Sequence, residues 1–256
     1  MLAVLSPAKK LDFERAVAPL PPTEPVLAGD TVQLAKRVRK LKRQDIARLM
    51  GLSEALSELN YQRFQSFLDA PEGDAARPAA LAFAGDTYVG LDAPSLSADD
   101  LTYAQQHLRI LSGLYGLLRP LDRIQPYRLE MGTRLDTRRG ADLYAFWGDR
   151  IAQALNDVFA GQEVPVLVNL ASNEYFKAVD RKALKAPVLT CVFQEIRDGQ
   201  AKVISFLAKR ARGSMARYMI TNRIDRPEGL KDFTTDGYRF QPDQSDQATF
   251  VFSRAQ

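Results

Sequence analysis

Hydrophobic residues along this chain form two kinds of pattern, short continuous runs and longer stretches with a helical period. Continuous apolar runs bounded by turn-forming or polar residues are typical of strands buried on both faces. They predict strands at Leu2–Leu5, 80–84, 164–170, 188–196, 202–207 and 249–252. Asp198-Gly199 between two of these runs is a strong signal for a two-residue hairpin turn.

Apolar residues spaced three or four apart predict helices at 31–43, 97–112 and 142–159. The proline-rich stretch 17–25 is expected to be an extended connector. Strands interspersed with helices, without a regular strand–helix–strand spacing, predict an α/β protein of the α+β-like kind. We expect a mixed β-sheet surrounded by helices.

Composition favours a single domain over residues 1–256, because 46% of the residues are hydrophobic and no linker divides the chain. No apolar run is long enough for a membrane span and the N-terminus lacks a signal-peptide pattern, so we expect a cytoplasmic protein without a membrane partner. One cysteine, Cys191, and one histidine, His107, give no metal-ligand spacing. We therefore expect no metal and no cofactor, and we favour a monomer.

Charge is distributed unevenly, although the net charge is only +4. Two segments, 31–44 and 199–224, contain basic residues and no acid. The first contains Lys36, Arg37, Arg39, Lys40, Lys42 and Arg43, and the second contains Lys202, Lys209, Arg210, Arg212, Arg217 and Arg223. Such segments are typical of a protein that binds the phosphate backbone. The alternative is two solvated helix faces whose acidic partners lie elsewhere in the chain.

Residues 44–60 resemble a helix-hairpin-helix motif, in which backbone N–H groups at a tight turn bind DNA phosphates. Gly51-Leu52-Ser53 stands where the turn should be, but Ser53 replaces the usual second glycine and Glu54 adds a negative charge. The alternative is an ordinary helical hairpin, with Gly51 ending one helix and Ser53 capping the next. The predicted DNA contacts are Gly51, Ser53, the six cations of segment 31–44, Lys209, Arg210 and Arg212.

Polar residues follow two of the predicted strands, at Ser6–Lys9 and at 169–175. In α/β folds ligands gather at the carboxyl ends of strands, so these residues would share one rim if the two strands are neighbours. The predicted pocket residues are Lys9, Tyr88, Arg119, Tyr127, Arg128, Glu130, Asn169, Ser172 and Glu174, and Lys209 and Arg212 of the second basic segment could join them on the rim. Glu130 and Glu174 are the candidates for general acid–base catalysis. Alternatively, Ser172 only caps a helix and Glu174 only complements its dipole.

Segment 111–132 combines three glycines and two prolines with tyrosine, arginine and acidic residues. Together with 6–9, 85–91, 143–147, 169–177 and 208–213, it resembles the YaaA-type peroxide-stress-resistance family of bacteria. The resemblance extends to about residue 240. It implies a compact α/β protein that binds DNA and limits oxidative damage to it, and it brings no secure catalytic activity.

Two functions remain open at this stage. The preferred one is a non-enzymatic protein that binds double-stranded or structured DNA largely without regard to sequence. The alternative is an enzyme that acts on a nucleobase or nucleotide in the predicted pocket.

Overall fold

A computed structural model of the protein describes residues 1–14, 21, 23–71 and 73–255. More than half of the connector expected at 17–25 lies outside these residues. The strands are β1 (Leu2–Leu5), β2 (Lys10–Leu11), β3 (Arg77–Pro78), β4 (Phe83–Ala84), β5 (Leu108–Ser112), β6 (Gly116–Leu118), β7 (Arg123–Ile124), β8 (Leu167–Leu170), β9 (Val188–Arg197), β10 (Gln200–Lys202), β11 (Arg239–Phe240) and β12 (Thr249–Ala255). The helices are α1 (Ala28–Arg39), α2 (Arg43–Met50), α3 (Glu54–Gln65), α4 (Ala79–Ala82), α5 (Asp86–Leu91), α6 (Ala98–His107), α7 (Leu143–Trp147), α8 (Arg150–Phe159), α9 (Asn173–Phe176) and α10 (Ser205–Thr221).

The main sheet is mixed, as the sequence predicts, with the strand order β11-β12-β9-β8-β1-β5-β6. β1 lies inside the sheet and pairs in parallel with both β5 and β8. All four of its residues are buried, which is why it reads as an uninterrupted apolar run. β10 pairs antiparallel with β9 through the predicted hairpin, where Asp198 and Gly199 both have positive φ.

One continuous hydrophobic core includes residues of this sheet and of most of the helices packed on it. Cys191 lies in that core, and burial raises the pKa of its thiol to about 12. The thiol of Cys191 is therefore a buried part of the core. Within the described part of the chain, no helix is both long enough and apolar enough to cross a membrane.

α10 crosses α5 at a contact between two glycines. A Cβ atom on Gly213 would lie 1.8 Å from the carbonyl oxygen of Thr87, and one on Gly90 would lie 2.1 Å from that of Arg210. Neither distance is compatible with a side chain larger than hydrogen. The two helix backbones therefore touch, and this contact brings Lys209 and Arg212 of α10 close to the N-terminus of α5.

Two predicted strands are wrong. Residues 79–82 form the short helix α4 and only Phe83–Ala84 are extended, whereas the strand expected at 202–207 ends at Lys202. α10 begins at Ser205, so Phe206 and Leu207 of the predicted strand belong to a helix. A short apolar run fits either structure, and packing against neighbouring elements decides between them.

All three predicted helices need new boundaries. The helix expected at 97–112 ends at His107, because the next five residues are fully buried and pair with β1 as β5. The helix expected at 142–159 is two helices separated at Gly148, whose φ is 51°. The helix expected at 31–43 is α1, which begins earlier and ends at Arg39.

His107 joins the end of α6 to the first residue of the chain. Its Nδ1–H donates to the carbonyl oxygen of Met1 at 3.0 Å, and its ring stacks on Tyr103 with 3.9 Å between centroids. Burial lowers the pKa of His107 below 6.5. The nearby N-terminal amino group and Arg109 lower it further, against an opposing effect of Asp225 and of the hydrogen bond.

We expect the free energy of unfolding to decrease as the pH falls below 6.5 through the lowered pKa of His107. The unfolded chain binds the proton more readily than the folded one in that range, so acid favours unfolding. Urea unfolding between about pH 7.5 and pH 5.5 measures this effect in a range where carboxylates remain ionised. His107→Gln keeps a donor for Met1 and should flatten the dependence. The same pH dependence in wild type and variant would assign it to another group.

Candidate functional site

A cavity of about 570 Å³ lies where β1 and β8 end. Because these strands are parallel neighbours, their following loops leave the same edge of the sheet. The N-terminus of α5 and the first half of α10 complete the wall. The charged residues that line the cavity are Lys9, Lys10, Asp86, Glu130, Glu174, Lys209 and Arg212.

Hydrogen bonds hold the two loops together at the base of this cavity. The Oγ of Ser6 accepts from the backbone N–H of Ser172 at 2.9 Å, and its own hydroxyl lies 3.3 Å from the Ser172 hydroxyl. The Tyr88 hydroxyl donates to the carbonyl oxygen of Ser6 at 3.1 Å. The loop after β1 is therefore fixed from β8 on one side and from α5 on the other.

Glu130 lies between two cations. Its Oε2 is 2.9 Å from Lys9 Nζ, and its Oε1 accepts from Arg128 at 3.0 and 3.2 Å. The three side chains form one ion-pair chain across the cavity rim. With one oxygen on each cation, Glu130 is suited to positioning Lys9 and Arg128.

Glu174 ties α9 to the loop that follows Glu130. Its Oε1 accepts from the backbone N–H of Gly132 at 2.9 Å, and its carbonyl oxygen accepts from the Tyr144 hydroxyl at 3.0 Å. The ammonium of Lys177 lies 4.7 Å from the centre of the Tyr144 ring. The carboxylate of Glu174 thus lines the cavity and also fixes the position of the loop.

Lys10, Lys209 and Arg212 are the cations of the cavity that lack an acidic partner among the described residues. Lys209 is exposed, whereas Arg212 is largely buried, and its Nε–H has no hydrogen-bond partner. Burial lowers the pKa of the Arg212 guanidinium, which nonetheless remains charged at neutral pH. This wall of the cavity therefore carries two cations without an ion pair among the described residues, beside the carboxylate of Asp86 at the start of α5.

Three buried tyrosines adjoin the cavity, and one of them, Tyr175, lines it. Burial raises the pKa of Tyr88, Tyr127 and Tyr175, so all three stay protonated. The Tyr127 hydroxyl is 2.6 Å from the Ser112 hydroxyl, and its ring packs edge-on against Phe83. Tyr127 therefore supports the site from the core instead of lining it.

The structure brings Lys9, Glu130, Ser172 and Glu174 together around one cavity, as the sequence-based hypothesis requires. Arg128 reaches this group through Glu130. Two further predicted pocket residues, Arg119 and Asn169, do not line the cavity. Arg119 pairs with buried Asp122 and donates to the Glu24 carbonyl, away from the cavity.

Asn169 serves the backbone, because its Oδ1 accepts from the Ala171 N–H at 3.0 Å and turns the chain out of β8. Sequence reasoning missed Lys10 and Asp86, which both line the cavity. Asp86 falls in one of the family-like segments, and Lys10 follows another, so position in those segments was the available signal.

The segment at 44–60 folds as a helical hairpin formed by α2 and α3. Gly51 ends α2 in the left-handed conformation, with φ 60° and ψ 46°, and Ser53 Oγ accepts from Leu56 N–H at the start of α3. Both caps expected of a helical hairpin are thus present. Gly51, Ser53 and Glu54 are all exposed, so the turn faces solvent.

Most cations of the first basic segment have structural partners. Lys36 pairs with Asp69 at 2.8 Å, Arg37 donates to the Asp136 carbonyl, and Arg39 donates to the carbonyls of Phe64 and Phe67. Arg43 pairs with Glu54 at 2.9 Å. Lys40 and Lys42 are exposed and, within the described ranges, have no ion pair. In the second segment Arg210 lies 3.5 Å from Asp236.

A shallow depression connects the hairpin to the loop that carries Gly132. It lies between α2 and this loop, and Arg48 and Arg134, both exposed, line it. The N–H of Gly132 is the donor to Glu174, which lines the larger cavity. The hairpin, the loop and the cavity therefore adjoin one another in that order.

Comparison with known proteins finds a family model and several relatives that match most or all of the chain. The family model described as peroxide stress protein YaaA matches residues 1–244. A UPF0246 protein of Caulobacter vibrioides is 56% identical over 256 residues, which covers 100% of both chains. A UPF0246 protein of Phenylobacterium zucineum is 56% identical over 256 residues, with 96% of its length covered. One from Burkholderia lata is 54% identical, with 99% of this chain and 98% of that protein covered.

Proposed function

Since the chain belongs to the YaaA family of peroxide stress proteins, we propose that it acts in that response by binding DNA. It contacts phosphates of double-stranded or structured DNA largely without reading sequence. In this proposal it works in the bacterial cytoplasm, where the DNA is, and it covers DNA that peroxide-derived radicals would otherwise attack.

The exposed turn between α2 and α3 is the observation that supports this proposal most directly. The first N–H groups of a helix have no partner within the helix, and the helix dipole favours an anion at that end. At the start of α3, Ser53 satisfies only one such donor, the N–H of Leu56. The remaining donors face solvent beside Gly51, where no Cβ would lie within 4 Å of a neighbour.

Cations around this turn supply the long-range attraction. Lys40 and Lys42 precede α2, and Arg48 and Arg134 line the depression beside it. Glu54 opposes phosphate binding at the turn, but its ion pair with Arg43 reduces that effect. Cations placed on one exposed surface bind phosphates with an affinity that depends strongly on salt and weakly on sequence.

An enzyme that acts on a nucleobase has less support. Glu130 is held by Lys9 and Arg128, and Glu174 accepts from Gly132, so both candidate acid–base residues already have structural partners. We therefore assign these carboxylates to positioning of the cavity wall.

Gly51→Val is expected to weaken binding to duplex DNA about tenfold or more at low salt, because valine disfavours the positive φ on which the turn depends. The double variant Lys40→Glu and Lys42→Glu should reduce the log–log salt slope by about 2, if each lysine contacts one phosphate. Fluorescence anisotropy with two duplexes of unrelated sequence, at several salt concentrations, measures both effects.

Two further variants control this experiment. Glu54→Gln should strengthen binding, since it removes the acid from the turn and frees Arg43. Arg239→Glu reverses an exposed cation on β11, at the opposite edge of the sheet from β6, and should leave the affinity nearly unchanged. If folded Gly51→Val and the lysine double variant bind like wild type, the hairpin is not the DNA contact.

A further inference from the structure

The cavity between β1, β8 and α10 has an imbalance of charge that the fold itself does not resolve. Glu130 and Glu174 on one side have their own partners, whereas Lys209 and Arg212 on the other side have none among the described residues. Asp86, which also lines the cavity, forms an ion pair with neither cation within the described ranges. A buried guanidinium N–H without an acceptor costs stability. An anion in the cavity would satisfy it and would contact both cations.

Phe206 adds a second, independent feature on the helix that supplies these two cations. It is 58% exposed, which is unusual for a phenylalanine, and it lies on the first turn of α10. Phe206, Lys209 and Arg212 follow one another at three-residue intervals, so they lie on adjacent turns, about 4.5 Å apart along the axis. Along α10 the three side chains run from the exposed ring of Phe206 to the largely buried guanidinium of Arg212.

This order of groups matches a nucleotide. Exposed aromatic side chains next to cations stack nucleobases and tolerate any base. The guanidinium and the ammonium, on the inner side, suit a phosphate. Since Arg212 is largely buried, a phosphate that reaches it is more readily accommodated as the end of a molecule than as part of a continuing strand.

We propose that the cavity binds a terminal phosphomonoester of a nucleotide, with the phosphate on Lys209 and Arg212 and the base on Phe206. Two sources offer this chemistry, a free nucleotide and the phosphorylated end of a DNA strand. The second rests on the proposed DNA-binding function. It fits oxidative damage chemically, because destruction of one deoxyribose in a strand leaves phosphate groups on the broken ends.

Binding of labelled single-stranded oligonucleotides tests the proposal, with 5′-phosphate, 3′-phosphate and hydroxyl ends compared by anisotropy at low salt. At least one phosphorylated end should bind about tenfold tighter than the hydroxyl end, since charged hydrogen bonds contribute at this level. Free deoxyadenosine monophosphate, used as a competitor, separates the two sources. Competition supports a nucleotide site open to free ligand, and preference without competition supports a strand-end site.

Variants test separately which residues bind the phosphate and which residue binds the base. Arg212→Gln and Lys209→Gln should remove the preference for phosphate. Because Lys209 is exposed, the second variant should fold like wild type. Phe206→Ala should weaken all oligonucleotides several-fold and keep the preference. Val26→Ala, at another exposed apolar residue, is the matched control and should change neither.

Covalently closed circular DNA separates this inference from the proposed function, because it has no ends. Loss of phosphate preference in the variants with unchanged binding of circular DNA is the expected result. A preference for phosphorylated ends without binding of circular DNA would refute backbone binding and retain the site. Equal affinity for phosphate and hydroxyl ends, together with no competition by the nucleotide, would overturn the inference.

Discussion

Gly213→Ala should lower the free energy of unfolding by about 3 kcal/mol or more, which is severe for the addition of one methyl group. The Cβ would lie 1.8 Å from the carbonyl oxygen of Thr87 and 2.8 Å from the backbone nitrogen of Leu91. Both contacts are with backbone atoms, so no side chain can rotate away. α10 would have to separate from α5 along its most extensive helix–helix contact.

The measurement is urea unfolding, supported by the melting temperature, which should fall by about 6–12 °C for a protein of this size. Gly29→Ala is the matched control, because Gly29 lies in α1 with no atom within 4 Å of the added Cβ. Alanine is the better helix former, so this control should be neutral or stabilising by up to about 1 kcal/mol. A Gly213→Ala variant as stable as Gly29→Ala would show that the two helices do not touch.

Arg254→Met should cost about 3–5 kcal/mol, because it leaves a buried carboxylate without its cation. Glu195 on β9 is 1% exposed, and its Oε2 accepts from Arg254 Nε at 2.8 Å. Its Oε1 accepts from the Tyr238 hydroxyl at 2.5 Å, and the Arg254 guanidinium lies over the Tyr238 ring. These contacts fasten β12 to β9 and to the segment before β11.

Tyr238→Phe is the graded comparison and should cost about 1–2 kcal/mol, since Glu195 keeps its cation. Combining Arg254→Met with Glu195→Gln should cost less than the sum of the two single changes, because the second removes the unpaired charge. Urea unfolding of the wild type, Arg254→Met, Glu195→Gln and the double variant gives the coupling energy of the pair. Additive losses would mean that the pair does not interact energetically.

The sequence was sufficient where one local signal had one structural outcome. Leu2–Leu5 is apolar at every position and is a buried inner strand, and Asp198-Gly199 is a hairpin turn. The sequence was insufficient where the spacing of apolar residues fitted both a helix and a strand. Leu108 and Leu111 continue the helical spacing of α6, yet the pairing of Leu108–Ser112 with β1 makes this segment a strand.

The candidate site was predictable in part. Placing Lys9 beside Ser172 and Glu174 required only that the strands before them be neighbours, and β1 and β8 are neighbours. Placing Lys209 and Arg212 on the opposite wall depends on the close crossing of α5 and α10. No spacing of hydrophobic residues in the sequence predicts that crossing. Arg119 was expected in the pocket, but it forms an ion pair with Asp122, three residues later in the chain.

The inner position of β1 has a consequence for synthesis of the chain. Its partners β5 and β8 end at Ser112 and Leu170, so β1 leaves the ribosome long before the residues that pair with it. At about 5–20 residues per second, that wait is roughly 10–30 s. Throughout it, Leu2–Leu5 is an apolar segment without its partners, and contacts of such long sequence separation form slowly. The arrangement that buries β1 between two strands of the finished protein thus leaves it exposed for a long time in the nascent one.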